Sequence, residues 1–114
     1  MPADDMVYIG HMLDMACKAN DKVLGLQKDA FDGDENRQLA LAHLVQTIGE
    51  AAARVSRNTR EDNPDIPWRE ITGMRNKIVH DYMGLDFDVV WEVATNDLPP
   101  LIEQLKSIIL PPGD

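Results

Sequence analysis

The sequence predicts an all-α fold, an antiparallel bundle of four to five helices filling residues 1–114 as a single domain. Three observations predict it. Apolar residues recur at steps of three and four through most of the chain. Gly, Pro and Asp separate the periodic stretches. No stretch alternates apolar and polar residues as a half-buried strand would.

The first helix is expected from Asp5 to about Lys28, where Met6, Ile9, Leu13, Ala16, Cys17, Val23 and Leu24 fall mostly on one stripe. Asp29 to Asn36 holds Gly33 and three aspartates and reads as a loop. From Asn36 to about Arg57 the apolar residues surround much of the helix, so that helix is expected to pack on more than one side. Gly49, Ala51, Ala52 and Ala53 are small enough to admit a neighbouring helix closely. Asn58 to Ile66 is polar, contains Asn63-Pro64, and reads as a connection. Pro67 suits the first position of a third helix, because its missing N–H has no intrahelical partner there. That helix would run through Trp68, Ile71, Met74, Ile78 and Val79 and end at or before Gly84. Asp86 can cap a fourth helix with an apolar stripe from Val90 to Ile108. Pro99-Pro100 should kink this C-terminal helix after Leu98, and Pro111-Pro112-Gly113 should end it.

At 114 residues the chain can bury a modest core, but a deep private cleft would call for a second subunit. The single Cys17 excludes an internal disulfide and a multi-cysteine metal site, and fits a reducing cytosol. No apolar run reaches the roughly 20 residues of a membrane span. The acidic start, Met1-Pro2-Ala3-Asp4-Asp5, is unlike a signal peptide, so the expectation is a soluble cytoplasmic protein. A net charge of −9 opposes indiscriminate nucleic-acid binding. The charge is uneven, however. From Arg54 to His80 six cations face four carboxylates, a balance of +2 that leaves −11 on the rest. A weakly positive island on an acidic body favours a local RNA contact or a basic partner.

Within that island, Arg75-Asn76-Lys77-Ile78-Val79-His80-Asp81-Tyr82 gathers a permanent cation, an imidazole and a phenol. Arginine suits neutralising an oxyanion, and histidine moves a proton near neutral pH. In RNA cleavage a base takes the proton from a 2′-hydroxyl that attacks the adjacent phosphorus. An acid then protonates the departing 5′-oxygen. His80 can serve either step, Arg75 can stabilise the phosphorane oxygens, and Asn76 can orient the imidazole or donate to phosphate. No carboxylate cluster has metal-ligand quality, so neither metal nor cofactor is invoked.

Geometry sets a condition on this chemistry. Five residues of ideal helix turn about 500°, which would point Arg75 and His80 roughly 140° apart. Two arrangements resolve this: the helix unwinds near His80, or motifs from two subunits face each other across a two-fold axis. His80 and Tyr82 share a side only on extended backbone, which also favours unwinding. Structural readings stand beside the catalytic one. Arg75 could pair with Asp81 or Glu50, and Tyr82 and Trp68 could be core or interface aromatics. His11 and His43 read as structural or solvent-facing, Cys17 as a packed small residue, and the methionines as core filler.

The segment Ile66 to Tyr82 closely resembles the signature of the HepT-like toxins of the HEPN superfamily. The resemblance extends back to Ile48-Gly49-Glu50-Ala51-Ala52, and forward through Val89-Val90-Trp91-Glu92 to Asn96-Asp97-Leu98-Pro99. It implies a HEPN-like helical bundle that forms a homodimer with both motifs at a shared cleft. It also implies metal-independent endoribonuclease activity, with Arg75 and His80 as the matching catalytic pair and Asn76 as the supporting polar residue. The implied partner is an MntA-like nucleotidyltransferase antitoxin that transfers AMP to the tyrosine matching Tyr82. Two other readings remain open at this stage. One is a non-catalytic helical dimer that binds, and is modified by, the nucleotidyltransferase. The other is a free nucleotide-binding module.

Overall fold

The computed structural model describes residues 2–80 and 84–109, with His80 described through its backbone. The chain forms α1 (Ala3–Val23), α2 (Lys28–Asp32), α3 (Glu35–Arg54), α4 (Arg57–Asp62), α5 (Trp68–Thr72) and α6 (Met74–Ile78). It continues through β1 (Val79–His80), β2 (Gly84–Leu85), α7 (Phe87–Glu92), a π-helical turn (Val93–Asp97) and α8 (Leu98–Ile109). The architecture is all-α, as the periodicity implies. Among the described residues the one departure is an antiparallel ladder that pairs Val79 with Leu85 and His80 with Gly84.

The long helices make the core. Ile9, Met12, Ala16 and Ala19 of α1 pack with Leu41, Val45 and Ile48 of α3 and Leu98, Leu101 and Leu105 of α8. Full burial of such side chains stabilises the fold by roughly 1.5–3 kcal/mol each. Because α3 lies against α1 and also against α5 and α6, it needs apolar residues on more than one side. That double contact explains its broad hydrophobic pattern.

Several boundaries differ from the sequence expectation. α1 ends at Val23, short of Lys28, and Leu24 beyond it is 75% exposed. The stretch read as an Asp-rich loop contains α2, whose Phe31 is fully buried, 5.0 Å from the ring of Trp91. One buried aromatic was enough to turn a polar loop into a packed helical turn. Lys28 adds a second tie between α2 and α7, reaching both Asp32 and Asp88 at 2.8 Å. Its ammonium pKa is raised, first by the hydrogen bond to Asp32 and then by that to Asp88. Asp34 caps α3 by accepting from the Arg37 N–H at 3.0 Å, one residue earlier than expected. That backbone bond, with the Arg37 side chain, holds the Asp34 carboxyl below its ordinary range.

The polar connection after α3 also contains a helix, α4, which is capped by Ser56. Asp5 is the reason. Its carboxylate is 3% exposed and accepts from the Ser56 N–H at 2.9 Å, the Ser56 hydroxyl at 2.6 Å and the Thr59 hydroxyl at 2.6 Å. These bonds, led by that from the Ser56 hydroxyl, lower its pKa despite burial. A charge that sequence alone places on the surface therefore staples the start of α1 to the α3–α4 turn.

The C-terminal helix is disturbed one turn before its prolines. Pro99 and Pro100 have no N–H, and their rings crowd the carbonyls of Thr95 and Asn96 four residues back. The wider π turn at Val93–Asp97 accommodates this, and Leu98 keeps helical angles of φ −71° and ψ −39°. The perturbation expected after Leu98 is thus absorbed ahead of it. The Pro111-Pro112-Gly113 stop lies outside the described residues. Among the described residues no helix is long and apolar enough to cross a membrane.

Candidate active site where α6 becomes extended

The expected third helix is two short ones, α5 and α6, meeting at Gly73. Trp68, Ile71, Met74 and Ile78 anchor them in the core. The Trp68 indole N–H also donates to the Asn63 carbonyl at 3.0 Å, so this aromatic has a structural role. α3 lies directly beneath. A Cβ at Gly49 would stand 2.8 Å from the Ile71 carbonyl oxygen and 3.9 Å from Met74 Cβ. Real Cβ contacts essentially never reach the first distance, so glycine sets how closely this motif-bearing segment sits on the bundle.

Anchoring through Met74 and Ile78 leaves the intervening residues outside. Arg75, Asn76 and Lys77 are all exposed. Among the described residues the Arg75 guanidinium has no hydrogen-bond or ion-pair partner, and Glu50 does not pair with it. A free, exposed guanidinium is available to an external anion.

α6 ends at Ile78, and Val79 takes extended angles of φ −103° and ψ 123°. His80 follows in β1, opposite Gly84. The 140° divergence that a continuous helix would impose therefore does not apply. Of the two arrangements the sequence allowed, the chain itself adopts the unwound one. Two features hold the reversal. Gly84 has φ +75°, a left-handed conformation that glycine adopts without strain. Beyond it, the Asp86 N–H donates to the Ile78 carbonyl at 2.7 Å, satisfying an acceptor that the helix end leaves open. The Asp86 side chain caps α7 through the Val89 N–H at 3.2 Å. Its capping role was legible in the sequence; its backbone clamp on α6 was not.

Of the four residues singled out, Arg75 and Asn76 are exposed on α6, and His80 occupies the strand by its backbone. The His80 side chain and Tyr82 lie outside the described residues. His11 and His43 are exposed, Cys17 is partly buried against the core, and Met12 and Met74 are core residues. Met6 is 38% exposed and does not fill the core as expected. Among the described residues no three His, Cys, Asp or Glu side chains converge as a metal-ligand group.

The family described as "Ribonuclease HepT-like" matches residues 12–108, which include the whole α6–β2 turn. The chain belongs to the HepT-like family. This places it in the HEPN superfamily. Relatives agree along most of their length. A protein of Caldanaerobacter subterraneus subsp. tengcongensis named "Putative RNase" is 31% identical over 102 residues, covering 90% of this chain and 91% of its own. A Methanocaldococcus jannaschii protein with the same designation is 32% identical over 93 residues, covering 78% and 80%. "Probable ribonuclease HepT" of Thermococcus cleftensis is 37% identical over 75 residues, covering 66% and 68%. No solved structure matches the chain.

Proposed function

We propose that this HepT-like chain is a metal-independent endoribonuclease, the toxin of a toxin–antitoxin pair, and that residues 1–114 act as one cytoplasmic helical domain. The observation that carries the proposal is the local one: a HepT-like helix ends between Arg75 and His80, leaving an exposed guanidinium, without a partner among the described residues, beside an extended segment. Family membership and the printed names of the relatives supply the reaction class.

In the proposed reaction the Arg75 guanidinium binds a non-bridging phosphate oxygen. It neutralises the charge that grows there as phosphorus becomes five-coordinate. The Asn76 amide donates to phosphate or steadies the imidazole. One imidazole takes the 2′-hydroxyl proton, the 2′-oxygen bonds to phosphorus, and the bond to the 5′-oxygen breaks as a second imidazole donates its proton. The products are a 2′,3′-cyclic phosphate and a 5′-hydroxyl. A homodimer with two facing motifs supplies both imidazoles, one for each proton transfer.

Regulation follows from the same segment. AMP transfer to Tyr82 by a nucleotidyltransferase partner places a phosphate two residues from His80, where negative charge and bulk oppose RNA. The −9 net charge favours a second reading, a non-catalytic dimer that only binds this partner. Purified, unmodified protein incubated with mixed RNAs separates the two. The nuclease reading expects scission that falls about 100-fold or more in Arg75→Ala and in His80→Ala. Inert RNA with the wild-type protein, or equal cleavage by the His80→Ala protein, contradicts it.

A further inference from the structure

A groove of about 490 Å³ runs between α5–α6 on one side and the π turn with the start of α8 on the other. Its floor is Ile71, Met74 and Leu101, each no more than 4% exposed. Its rim carries three carboxylates, Asp65, Glu70 and Asp97, against one cation, Lys77. All four are exposed, and none of their side chains has a hydrogen-bond or ion-pair partner among the described residues. The groove between α1 and α3 has a similar volume but differs in this respect. There Lys18 is paired with Asp14 at 3.1 Å, and Arg37 binds both Asp34 at 3.1 Å and the Lys22 carbonyl at 2.6 Å. Those two cations are engaged within the fold, although Lys22 beside them is not, whereas none of the α5–α8 rim charges has a partner among the described residues.

We infer that the α5–α8 groove docks a basic amphipathic segment of a protein partner. An apolar floor between acidic walls matches a helix with apolar residues on one stripe and Lys or Arg on its flanks. The same walls repel a phosphate chain, so RNA is the wrong occupant. From Asn96 to Gln104 the α8 wall runs eight residues, about 12 Å, or roughly two turns of a docked helix. The long helices of a second copy do not match it. α1 carries four Asp against two Lys, and in α3 and α8 Glu balances the cations. Met74 and Lys77 wall the groove from α6, while Arg75 is about 200° from Lys77 around that helix. A segment seated there grips the motif-bearing helix and leaves Arg75 uncovered. The inference does not rest on the ribonuclease reading.

The test uses the full chain and two labelled 14-residue helical peptides that share a Leu stripe, one flanked by Arg and the other by Glu. Fluorescence anisotropy should show saturable binding of the Arg peptide alone. A Glu70→Lys/Asp97→Lys variant should weaken it about fivefold or more. Asp4→Lys/Glu35→Lys, with the same change in net charge at exposed sites elsewhere, should leave it unchanged. Circular dichroism of both variants guards against a folding defect. Absence of saturable binding, equal binding of the Glu peptide, or equal weakening in both variants overturns the inference. So does a change in oligomeric state with Glu70→Lys/Asp97→Lys, which would assign the groove to a second copy, or displacement of the peptide by single-stranded RNA.

Discussion

Replacing Gly49 with Ala sets two effects of similar size against each other at the contact that holds the motif segment. Alanine in a helix interior is favoured over glycine by about 1 kcal/mol. Against that, the added Cβ would lie 2.8 Å from the Ile71 carbonyl oxygen. An unstrained carbon–oxygen approach is about 3.3 Å or more, so α5 must retreat by roughly 0.5 Å. The oxygen is backbone in a helix pinned by buried Trp68, so it cannot rotate aside. Overpacking of this kind costs about 1–3 kcal/mol. The net expectation is destabilisation of about 0–2 kcal/mol. Gly10→Ala is the internal control, because nothing lies within 4 Å of its added Cβ and only the helix-propensity gain applies. Urea unfolding should therefore rank Gly10→Ala above wild type and Gly49→Ala at or below it, separated by about 1–3 kcal/mol. RNA cleavage should fall in Gly49→Ala and hold in Gly10→Ala, since only the former shifts α5–α6. A Gly49→Ala protein stabilised as much as Gly10→Ala would refute the close-contact argument.

Three further outcomes are expected. Asp5 and Asp34 both have lowered folded-state pKa values. Their stabilisation is therefore present above the ordinary carboxylate value of about 4 and lost as pH falls through the folded values. Unfolding followed from pH 6 to pH 2 should show stability dropping below about pH 4, with a shallower drop in Asp5→Asn. An unchanged slope would remove Asp5 from that account. Lys28→Met should leave the urea midpoint almost unchanged, because a partly exposed ion pair is screened by solvent even when it bridges two helices. A clear fall in the midpoint would show that the α2–α7 tie matters more than its exposure suggests. Protein made together with an MntA-like nucleotidyltransferase should gain one or more AMP masses by intact mass spectrometry if the proposed regulation holds, and Tyr82→Phe should gain none. Equal modification of that variant would move the acceptor elsewhere.

How much of this was legible in the sequence depended on the scale of the interaction. The three long helices announced themselves because apolar residues such as Ile9, Ala16 and Val23 recur at helical spacing over many turns, although the buried stripe also runs through Met12 and Ala19, and Met6 and Leu24 fall outside it. Asp86 was legible as a cap because an N-cap needs only local geometry. The short helices were not. α2 depends on Phe31 meeting Trp91, 60 residues away, and α4 on Asp5 reaching Ser56 across 51. Nothing within those five- and six-residue stretches favours helix strongly enough to show alone. Gly49 lay between these cases: its size suggested a close neighbour, but only the fold identified the Ile71 carbonyl. At the site, the incompatibility of Arg75 and His80 on one helix signalled that the helix must end or the site be shared. The end at Ile78 is fixed by the Asp86 N–H, a tertiary bond that no local pattern encodes.

The measurement that bears most directly on the nuclease account uses one RNA, its counterpart with a single 2′-deoxy nucleotide at the cut, and purified unmodified protein in excess EDTA. The account predicts that the all-ribose strand is cut to a 2′,3′-cyclic phosphate and a 5′-hydroxyl. It also predicts that the deoxy strand survives at that position and that His80→Ala leaves both intact. Scission of the deoxy linkage, or activity that EDTA abolishes and divalent metal restores, would contradict proton transfer by His80 to and from the RNA's own oxygens.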